Sequence, residues 1–470
     1  MSGQRDPSNE PNFLVAAGLP ADAVSAWNRA KPKLTQSYPA DRDHFSNFWL
    51  QSARLISLLP SADRRNEREQ AAAKRIIETA RKTRMQFLLG HIESLYGFLT
   101  AGGSRHVRVE QLVFDAAEAV PGLVPGKSDL VAENGRLQRH RSGIEIDQGL
   151  FIAAVLANQS PGRHLCHSML LPRSESLDLL DRFRRDGVVE LEGASVRRSG
   201  RASVVSYVHP RFLNVEDQGT LDGMEICVDL ALLDEASELV VLRGAQVQHP
   251  KYRGRRIFGA GINLTHLYHG RIPFIWYLQR DLGYVNKIYR GLAVPGDAPP
   301  DECGGATTEK LWIAAVEGFA IGGHCQVLLV CDYVIAERDA YLTLPARQEG
   351  IIPGAANLRL PRFTGARIAR QAILYGRRIE CASPEGRMIC DAVIDAGTMD
   401  AAIGEALTGL ASSGLVSAAG NRRAFRIAEE PLDLFRNYMA IYTREQAYCH
   451  FSPALISNLE QYWKAQNRIP

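Results

Sequence analysis

Two glycine-containing turns could supply main-chain hydrogen-bond donors to one developing negative charge. Residues 259–264 follow a strand-like segment and lead into a predicted helix, and Gly322 and Gly323 open another. The first N–H groups of a helix have no partner within it, so either turn can bind an anion, although each alone is also typical of an ordinary tight connection. Together they favour enolate chemistry, in which two fixed amides stabilise a thioester oxygen as the α-proton leaves.

The chain that positions these turns divides into three predicted parts. Its 470 residues exceed what one hydrophobic core usually supports. Residues 1–200 are predicted to form a helical domain, because apolar residues recur at helical spacing through residues 66–99. Residues 201–400 are predicted to form an α/β catalytic core, and residues 401–470 a helical assembly region.

Short β-branched runs alternate with helical segments in the predicted core, which is typical of an α/β fold. The predicted strands are 203–208, 239–242, 311–316 and 327–335, and the predicted helices are 217–234, 277–291 and 367–375. In the last part, Phe435, Tyr438, Met439 and Tyr442 form an apolar helical stripe. We interpret this stripe as core or as a subunit contact rather than a binding groove.

Composition limits the partners of the chain. The 55 basic and 52 acidic residues give a formal charge of +3, which is too small to imply nucleic-acid or membrane binding by bulk electrostatics. The eight cysteines are scattered, and no His or Cys cluster has metal-ligand spacing, so we expect a reducing compartment and no metal. A polar N-terminus without a signal-peptide core, and no run of about 18 apolar residues, predict a soluble cytoplasmic protein.

Residues 204–395 resemble the acyl-CoA-binding core of the crotonase (enoyl-CoA hydratase/isomerase) superfamily. The resemblance rests on both glycine turns and on residues 209–214, 352–356 and 374–379. It implies a ClpP/crotonase-like core of stacked β-sheets with surrounding helices, an acyl-CoA substrate, and assembly into trimers or dimers of trimers. Matched to the superfamily pattern, the oxyanion-hole amides are those of Ile262 and Gly323.

Two catalytic positions depart from the hydratases of that superfamily. Hydratases carry glutamates at the positions of Gln326 and Ala346, and an amide and a methyl group cannot share proton transfer as two carboxylates do. Hydration and ordinary double-bond isomerisation are therefore disfavoured. Glu349 could replace the missing base, but its place beside Arg347 in a turn favours a surface ion pair.

One subgroup of the superfamily, the cofactor-independent arylacetyl-CoA dioxygenases, resembles the chain more closely. This resemblance rests on residues 249–256, 261–264, 344–346 and 349–360, and on the helical N-terminal extension. It implies conversion of 3,5-dihydroxyphenylacetyl-CoA and O2 to the aryl glyoxylate and free CoA, without metal or flavin, in the supply of dihydroxyphenylglycine for antibiotics. The aryl-conjugated enolate would give one electron to O2, and the resulting peroxide would attack the thioester carbonyl and expel CoA.

The subgroup resemblance also implies roles for individual side chains. An apolar O2 pocket would be formed by Ile262, Leu264, Ala346 and Ile351, which could instead be plain core. Substrate would be handled by Glu216, Arg280 and Gln326, with a structural Glu216–Arg280 ion pair as the alternative. His249 would lie at the substrate pocket, and the CoA phosphates would be bound by cations from the set Arg211, Lys251, Arg253, Arg255 and Arg256, each of which could also be a solvated surface charge.

His324 stands where the superfamily normally has a third glycine. Its side chain could narrow the pocket, contact a neighbouring subunit or act as a base. A packed, hydrogen-bonded histidine is the favoured interpretation, and it predicts that His324→Gly leaves turnover largely intact.

Two other functions remain open from sequence. The chain could be another enolate-forming acyl-CoA enzyme, such as a thioesterase or isomerase. It could also be a non-catalytic crotonase-fold scaffold for protein or RNA, although no basic stripe interleaved with aromatic residues is present.

Overall fold

The computed structural model describes residues 13–62, 64–296, 299, 302–411 and 415–469. The chain begins with a helical region whose longest helix is α4, Glu67–Leu99, as predicted from residues 66–99. A capping box begins this helix, because the Asn66 side chain accepts from the Glu69 amide and the Glu69 carboxylate accepts from the Asn66 amide. The helices of this region are α1 Phe13–Ala16, α2 Ala21–Arg29, α3 Tyr38–Ser57, α4 Glu67–Leu99, α5 Val109–Ala119, α6 Lys127–Glu133, α7 Glu145–Ala157, α8 Gln159–Leu170 and α9 Ser174–Asp186.

A largely parallel sheet forms the centre of the molecule. Its strands run in the order β1-β2-β3-β4-β7-β9-β12, with the first three antiparallel and the rest parallel. The Leu-Val-Val-Leu run at the start of β4 is buried on both faces, as expected of a central parallel strand. These strands are β1 Val188–Leu191, β2 Ala194–Ser199, β3 Ala202–Tyr207, β4 Leu239–Gly244, β7 Leu311–Val316, β9 Tyr333–Glu337 and β12 Ala392–Ile394.

Two smaller sheets complete the strands of the described residues. One has the order β11-β10-β8 and the other pairs β5 with β6. Their strands are β5 Leu292–Ala293, β6 Thr307–Thr308, β8 Phe319–Ile321, β10 Tyr341–Thr343 and β11 Ile379–Glu380. Strand β8 leads directly into the second glycine turn.

Helices surround the sheets and continue to the C-terminus. Helix α19 packs against α7, so the C-terminal helices contact the helical region that precedes the sheet. The stripe predicted on α19 is buried at Phe435, Met439 and Tyr442. The remaining helices are α10 Gln218–Leu233, α11 Leu264–Tyr268, α12 Ile275–Leu282, α13 Tyr284–Arg290, α14 Gly323–Leu328, α15 Ala346–Glu349, α16 Ala356–Tyr375, α17 Met399–Ala411, α18 Leu415–Glu429, α19 Leu432–His450 and α20 Pro453–Trp463.

Three sequence-based boundaries differ from the structure. Strands β1 and β2 precede residue 200 and pair with β3, so the sheet extends into the segment predicted as an N-terminal helical domain. The predicted strand 327–335 is wrong in its first half, because a short apolar run cannot be told from a buried helical turn, here the end of α14. The predicted helix 277–291 is two helices, broken at Gly283. The three-domain division itself stays a prediction.

Among the described residues, every helix is too short or too polar to cross a membrane.

Candidate active site

The two glycine turns lie side by side. The Gly259 amide donates to the Phe319 carbonyl at 3.2 Å, and the Ile321 amide donates to the Gly259 carbonyl at 3.0 Å. Gly261 has a φ of +78° and packs so closely that a Cβ there would lie 2.9 Å from the Ile321 oxygen. Both the backbone conformation and the close approach therefore require glycine.

Ile262 and Gly323 both line one cavity. On either side of Ile262, the Glu216 amide donates to the Gly261 carbonyl and the Asn263 amide donates to the Glu216 carbonyl, both at 2.8 Å. Neither of these hydrogen bonds uses the Ile262 N–H. Among the described residues neither the Ile262 nor the Gly323 amide has an acceptor, and both residues line the cavity. Two such donors can stabilise an oxyanion that forms between them.

One wall of the cavity is apolar. It includes Ile262, Ala346 and Ile351, three of the four residues predicted to form an O2 pocket. The fourth, Leu264, is half-buried at the start of α11 and lies outside the cavity lining. Leu264 therefore fits the alternative of core packing.

The opposite wall carries a polar cluster around Arg280. This guanidinium donates to Glu216 Oε1 at 2.9 Å, Gln326 Oε1 at 3.1 Å and the Gly323 carbonyl at 2.7 Å. Its Nη1 also donates to Asp281 Oδ1 at 2.8 Å. Arg280 thereby links three cavity side chains to the turn that carries the Gly323 amide, the second donor predicted for the oxyanion hole.

The Glu216–Arg280 pair is ionised. Burial acts most strongly on the pKa of Glu216 and raises it, but the charge of Arg280 and the hydrogen bonds from Arg280 and Tyr284 together hold that pKa below its usual range. Burial acts to lower the pKa of Arg280, but the neighbouring Glu216, Tyr284 and Asp281 together hold that pKa well above its usual range. The ion pair expected as a structural alternative is thus present inside the predicted substrate site, and a role in handling substrate stays a prediction.

Comparison with known proteins identifies the relationship of the chain. The model of a family described as enoyl-CoA hydratase/isomerase matches residues 306–431. Over 394 residues the chain is 45% identical to the (3,5-dihydroxyphenyl)acetyl-CoA 1,2-dioxygenase of Amycolatopsis orientalis, covering 84% of this chain and 89% of that protein. The chain belongs to the family of this dioxygenase, within the crotonase superfamily.

More distant relatives match a smaller share of the chain. A short-chain-enoyl-CoA hydratase of Clostridium acetobutylicum is 29% identical over 194 residues, which cover 41% of this chain and 65% of that protein. A crystal structure of an enoyl-CoA hydratase/isomerase from Xanthobacter autotrophicus Py2 is 20% identical, with a TM-score of 0.48, and covers 60% of this chain and all of that one. The family match and the order of helices and strands confirm the predicted fold class, a crotonase core flanked by N-terminal and C-terminal helices.

His324, the departure from the superfamily's glycine pattern, packs against the first glycine turn and is absent from the cavity lining. Its fully buried ring packs edge-on against Tyr207 with 4.2 Å between centroids, and its Nδ1 accepts from the Gly261 amide at 3.0 Å. Burial lowers the pKa of His324 to about 4, so the ring is neutral near pH 7. The interpretation as a packed, hydrogen-bonded histidine agrees with these contacts, which make His324 a support for the turn that carries Ile262.

His324→Gly is therefore expected to lower turnover, contrary to the expectation from sequence. The Gly261 amide would lose its acceptor, and a buried unsatisfied amide costs about 1–3 kcal/mol before the new cavity is counted. We expect a lower unfolding temperature and a lower kcat for thioester cleavage. Wild-type values of both in thermal unfolding and free-thiol assays would restore the original expectation.

The cations predicted to bind CoA lie on loops outside the cavity lining. Arg211 and Lys251 are exposed and stack on the adjacent rings of Phe212 and Tyr252, at 4.8 and 5.0 Å from the ring centroids. Arg255 is paired with Glu337 at 3.3 Å and is less available to a phosphate. The Arg211 and Lys251 loops are joined by a hydrogen bond from the Gln248 amide to the Pro210 carbonyl.

His249 is not at the substrate pocket. It begins the turn of residues 250–252, where its Nδ1 accepts from the Lys251 amide at 3.3 Å, and it is absent from the cavity lining. Arg253 is exposed, and Arg256 donates to the Gly244 carbonyl at 3.2 Å. In the described part of the chain, His, Cys, Asp and Glu side chains form no group of three or more that could hold a metal ion.

Sequence reasoning misplaced Glu349 and missed the aromatic side of the cavity. The surface pair of Glu349 with Arg347 is wrong, because Arg347 is exposed while Glu349 is buried and lines the cavity. A spacing of three residues from Ala346 on a helix places both side chains on one face and could have revealed this. Trp276, Tyr277 and Tyr442 also line the cavity, and Tyr442 comes from the stripe interpreted as core or a subunit contact.

Proposed function

We propose that the chain is a cofactor-independent dioxygenase that converts 3,5-dihydroxyphenylacetyl-CoA and O2 to 3,5-dihydroxyphenylglyoxylate and CoA. The observation that carries the proposal is a cavity in which two unpaired amides stand beside an apolar wall. Neutral Gln326 and Ala346 line this cavity at the two positions where hydratases carry glutamates. The relationship to the Amycolatopsis orientalis dioxygenase supplies the substrate.

The amides of Ile262 and Gly323 would lower the free energy of the enolate. A benzylic hydrogen beside a thioester is already acidic, and donors fixed by the protein need no reorganisation as negative charge develops on the thioester oxygen. The carbonyl of Gly323 is itself bound by Arg280, which holds the turn in place. Binding energy is thus directed at the enolate rather than at the neutral thioester.

The apolar wall suits the next step. O2 is apolar and would lie against Ala346 and Ile351 next to the α-carbon. Transfer of one electron from the enolate to O2, followed by recombination, forms a C–O bond at the α-carbon and leaves a peroxide. The peroxide attacks the thioester carbonyl and expels the CoA thiolate. Loss of the second α-hydrogen as a proton, with cleavage of the O–O bond, then yields the glyoxylate.

The polar cluster would bind the aryl group, and exposed cations would bind the nucleotide end of the substrate. Glu216 and Gln326 both present oxygens within the cavity region, and the Glu216 Oε2 atom has no hydrogen-bond partner. It could accept from a ring hydroxyl. Arg211 and Lys251 are the cations that we assign to the CoA phosphates. We also propose that the protein assembles into trimers or dimers of trimers.

Thiol release under air and under argon tests the proposal. With 3,5-dihydroxyphenylacetyl-CoA and protein treated with a metal chelator, we expect free CoA under air and almost none under argon. A thioesterase would release thiol equally under both gases, and an isomerase or a non-catalytic scaffold would release it under neither. Either of those results would reject the proposed reaction.

A further inference from the structure

Glu349 is a carboxylate of the cavity that no cation neutralises. It is 9% exposed, and among the described residues no ion pair or hydrogen bond reaches its side-chain oxygens. The other two cavity carboxylates, Glu216 and Asp281, are both bound by Arg280. Burying a carboxylate without a partner costs free energy of folding, and the position of Glu349 therefore lowers the stability of the folded protein.

The Glu349 carboxylate also stands beside the oxyanion hole. Its Oε1 lies 4.0 Å from the point that a Cβ on Gly322 would occupy, and Gly322 directly precedes the Gly323 amide. A thioester whose oxygen is bound by the Ile262 and Gly323 amides has its α-carbon one bond from the carbonyl carbon. The α-hydrogens of such a substrate would therefore lie in the part of the cavity that Glu349 borders.

We propose that Glu349 is the base that removes the α-proton of the bound thioester. This inference rests on the proposed function and names the proton acceptor of its first step. A new O–H bond forms at the Glu349 carboxylate as the α-carbon C–H bond breaks. The C–H electron pair becomes the enolate C=C bond, and the carbonyl π pair moves to the oxygen held by the two amides. No electron is exchanged with O2 in this step.

The environment of Glu349 suits an exchangeable proton near neutral pH. Burial raises the pKa of Glu349 to about 7. Burial is the one influence that shifts this pKa, so no charged group among the described residues acts on it. Tyr277 of α12 is close enough for the Glu349 charge to raise its own pKa, and Tyr442 of α19 lines the same cavity. From α20, Asn458 donates to the Arg347 carbonyl of the short helix that carries Glu349. The charged groups of the cavity, Arg280, Glu216 and Asp281, are engaged with one another. Because a base must be ionised, kcat/KM should fall as pH drops below about 7.

Anaerobic hydrogen exchange isolates this step. We would incubate 3,5-dihydroxyphenylacetyl-CoA under argon in D2O with the wild type, Glu349→Gln and Glu349→Asp, and follow α-deuteration by mass spectrometry. The control is Arg347→Gln, an exposed neighbour on the same short helix. We expect wild-type exchange for the control, partial exchange for Glu349→Asp, and a loss of about 10²–10⁴-fold for Glu349→Gln. Binding of a thioether analogue should be unchanged in Glu349→Gln.

The outcomes separate this inference from the proposed function. If the wild type releases thiol with O2 and Glu349→Gln exchanges and turns over equally well, the inference is rejected and the function stands. Loss of analogue binding in Glu349→Gln would assign it to positioning and also reject the inference. If Glu349→Gln does not fold, the pH dependence of exchange by the wild type decides. The range from pH 5.5 to 8.5 extends about 1.5 units on each side of that pKa. An exchange rate that does not change over this range excludes a base titrating near 7. A wild type without O2-dependent release rejects the proposed function instead.

Discussion

Gly323→Ala is expected to lower kcat for O2-dependent thiol release by about 10²–10³-fold, the usual effect of losing one oxyanion-hole donor. A Cβ at this position would lie 2.3 Å from Glu216 Oε2 and 3.0 Å from Arg280 Nη2. The buried ion pair cannot move aside cheaply, so the turn must shift. The Gly323 amide then no longer points to the place where the enolate oxygen forms.

The matched control is Gly97→Ala in α4. A Cβ at Gly97 would meet nothing within 4 Å, so this substitution adds the same methyl group without a clash. We expect wild-type kcat for the control. Substrate binding should change less than kcat in Gly323→Ala, since the lost interaction strengthens as negative charge develops. A Gly323→Ala variant with wild-type kcat would remove the amide pair from the mechanism.

Arg280→Met is expected to lower the free energy of unfolding by about 3–5 kcal/mol, because removing one partner of a buried ion pair leaves an uncompensated charge. Arg280 is 3% exposed and binds Glu216, Asp281, Gln326 and the Gly323 carbonyl. The methionine keeps much of the volume but none of these donors. Activity should be lost together with stability.

A double mutant tests whether the unpaired charge of Glu216 causes the loss of stability in Arg280→Met. Glu216→Gln in the Arg280→Met background removes a buried charge, so it should restore part of the lost stability without restoring turnover. Arg367→Met, at an exposed arginine, should change stability by no more than about 0.5 kcal/mol. Denaturant unfolding measures all three. Arg280→Met with wild-type stability would contradict the ionised, desolvated pair described here.

The two glycine turns could be predicted from the sequence because their conformation depends on local chemistry. Glycines at 261 and 322 permit the backbone conformations of the turns, and the helices that follow leave their first amides without partners. Ala346 and Gln326 could likewise be assigned to the cavity by their place in the superfamily pattern. The cavity lining includes both.

The parts that could not be predicted depend on long-range packing. Nothing near His324 in the sequence indicates that its ring accepts a hydrogen bond from the Gly261 amide. Nothing near Tyr442 indicates that this residue of α19 lines the cavity. The burial of Glu349 also depends on residues far along the chain, so its local setting beside Arg347 was misleading. Strands β1 and β2 fall within the segment predicted to be helical. Gly193, with a φ of +72°, forms the turn between them, and sequence reasoning missed this hairpin.

The most direct test of the account is the fate of oxygen atoms. The reaction of 3,5-dihydroxyphenylacetyl-CoA with wild-type protein is run under ¹⁸O2 in unlabelled water, and the acid product is analysed by mass spectrometry. Attack of the peroxide on the thioester carbonyl predicts that both atoms of one O2 molecule enter the glyoxylate. A product that carries no label, or free arylacetate with the label absent, would contradict enolate oxygenation in this cavity.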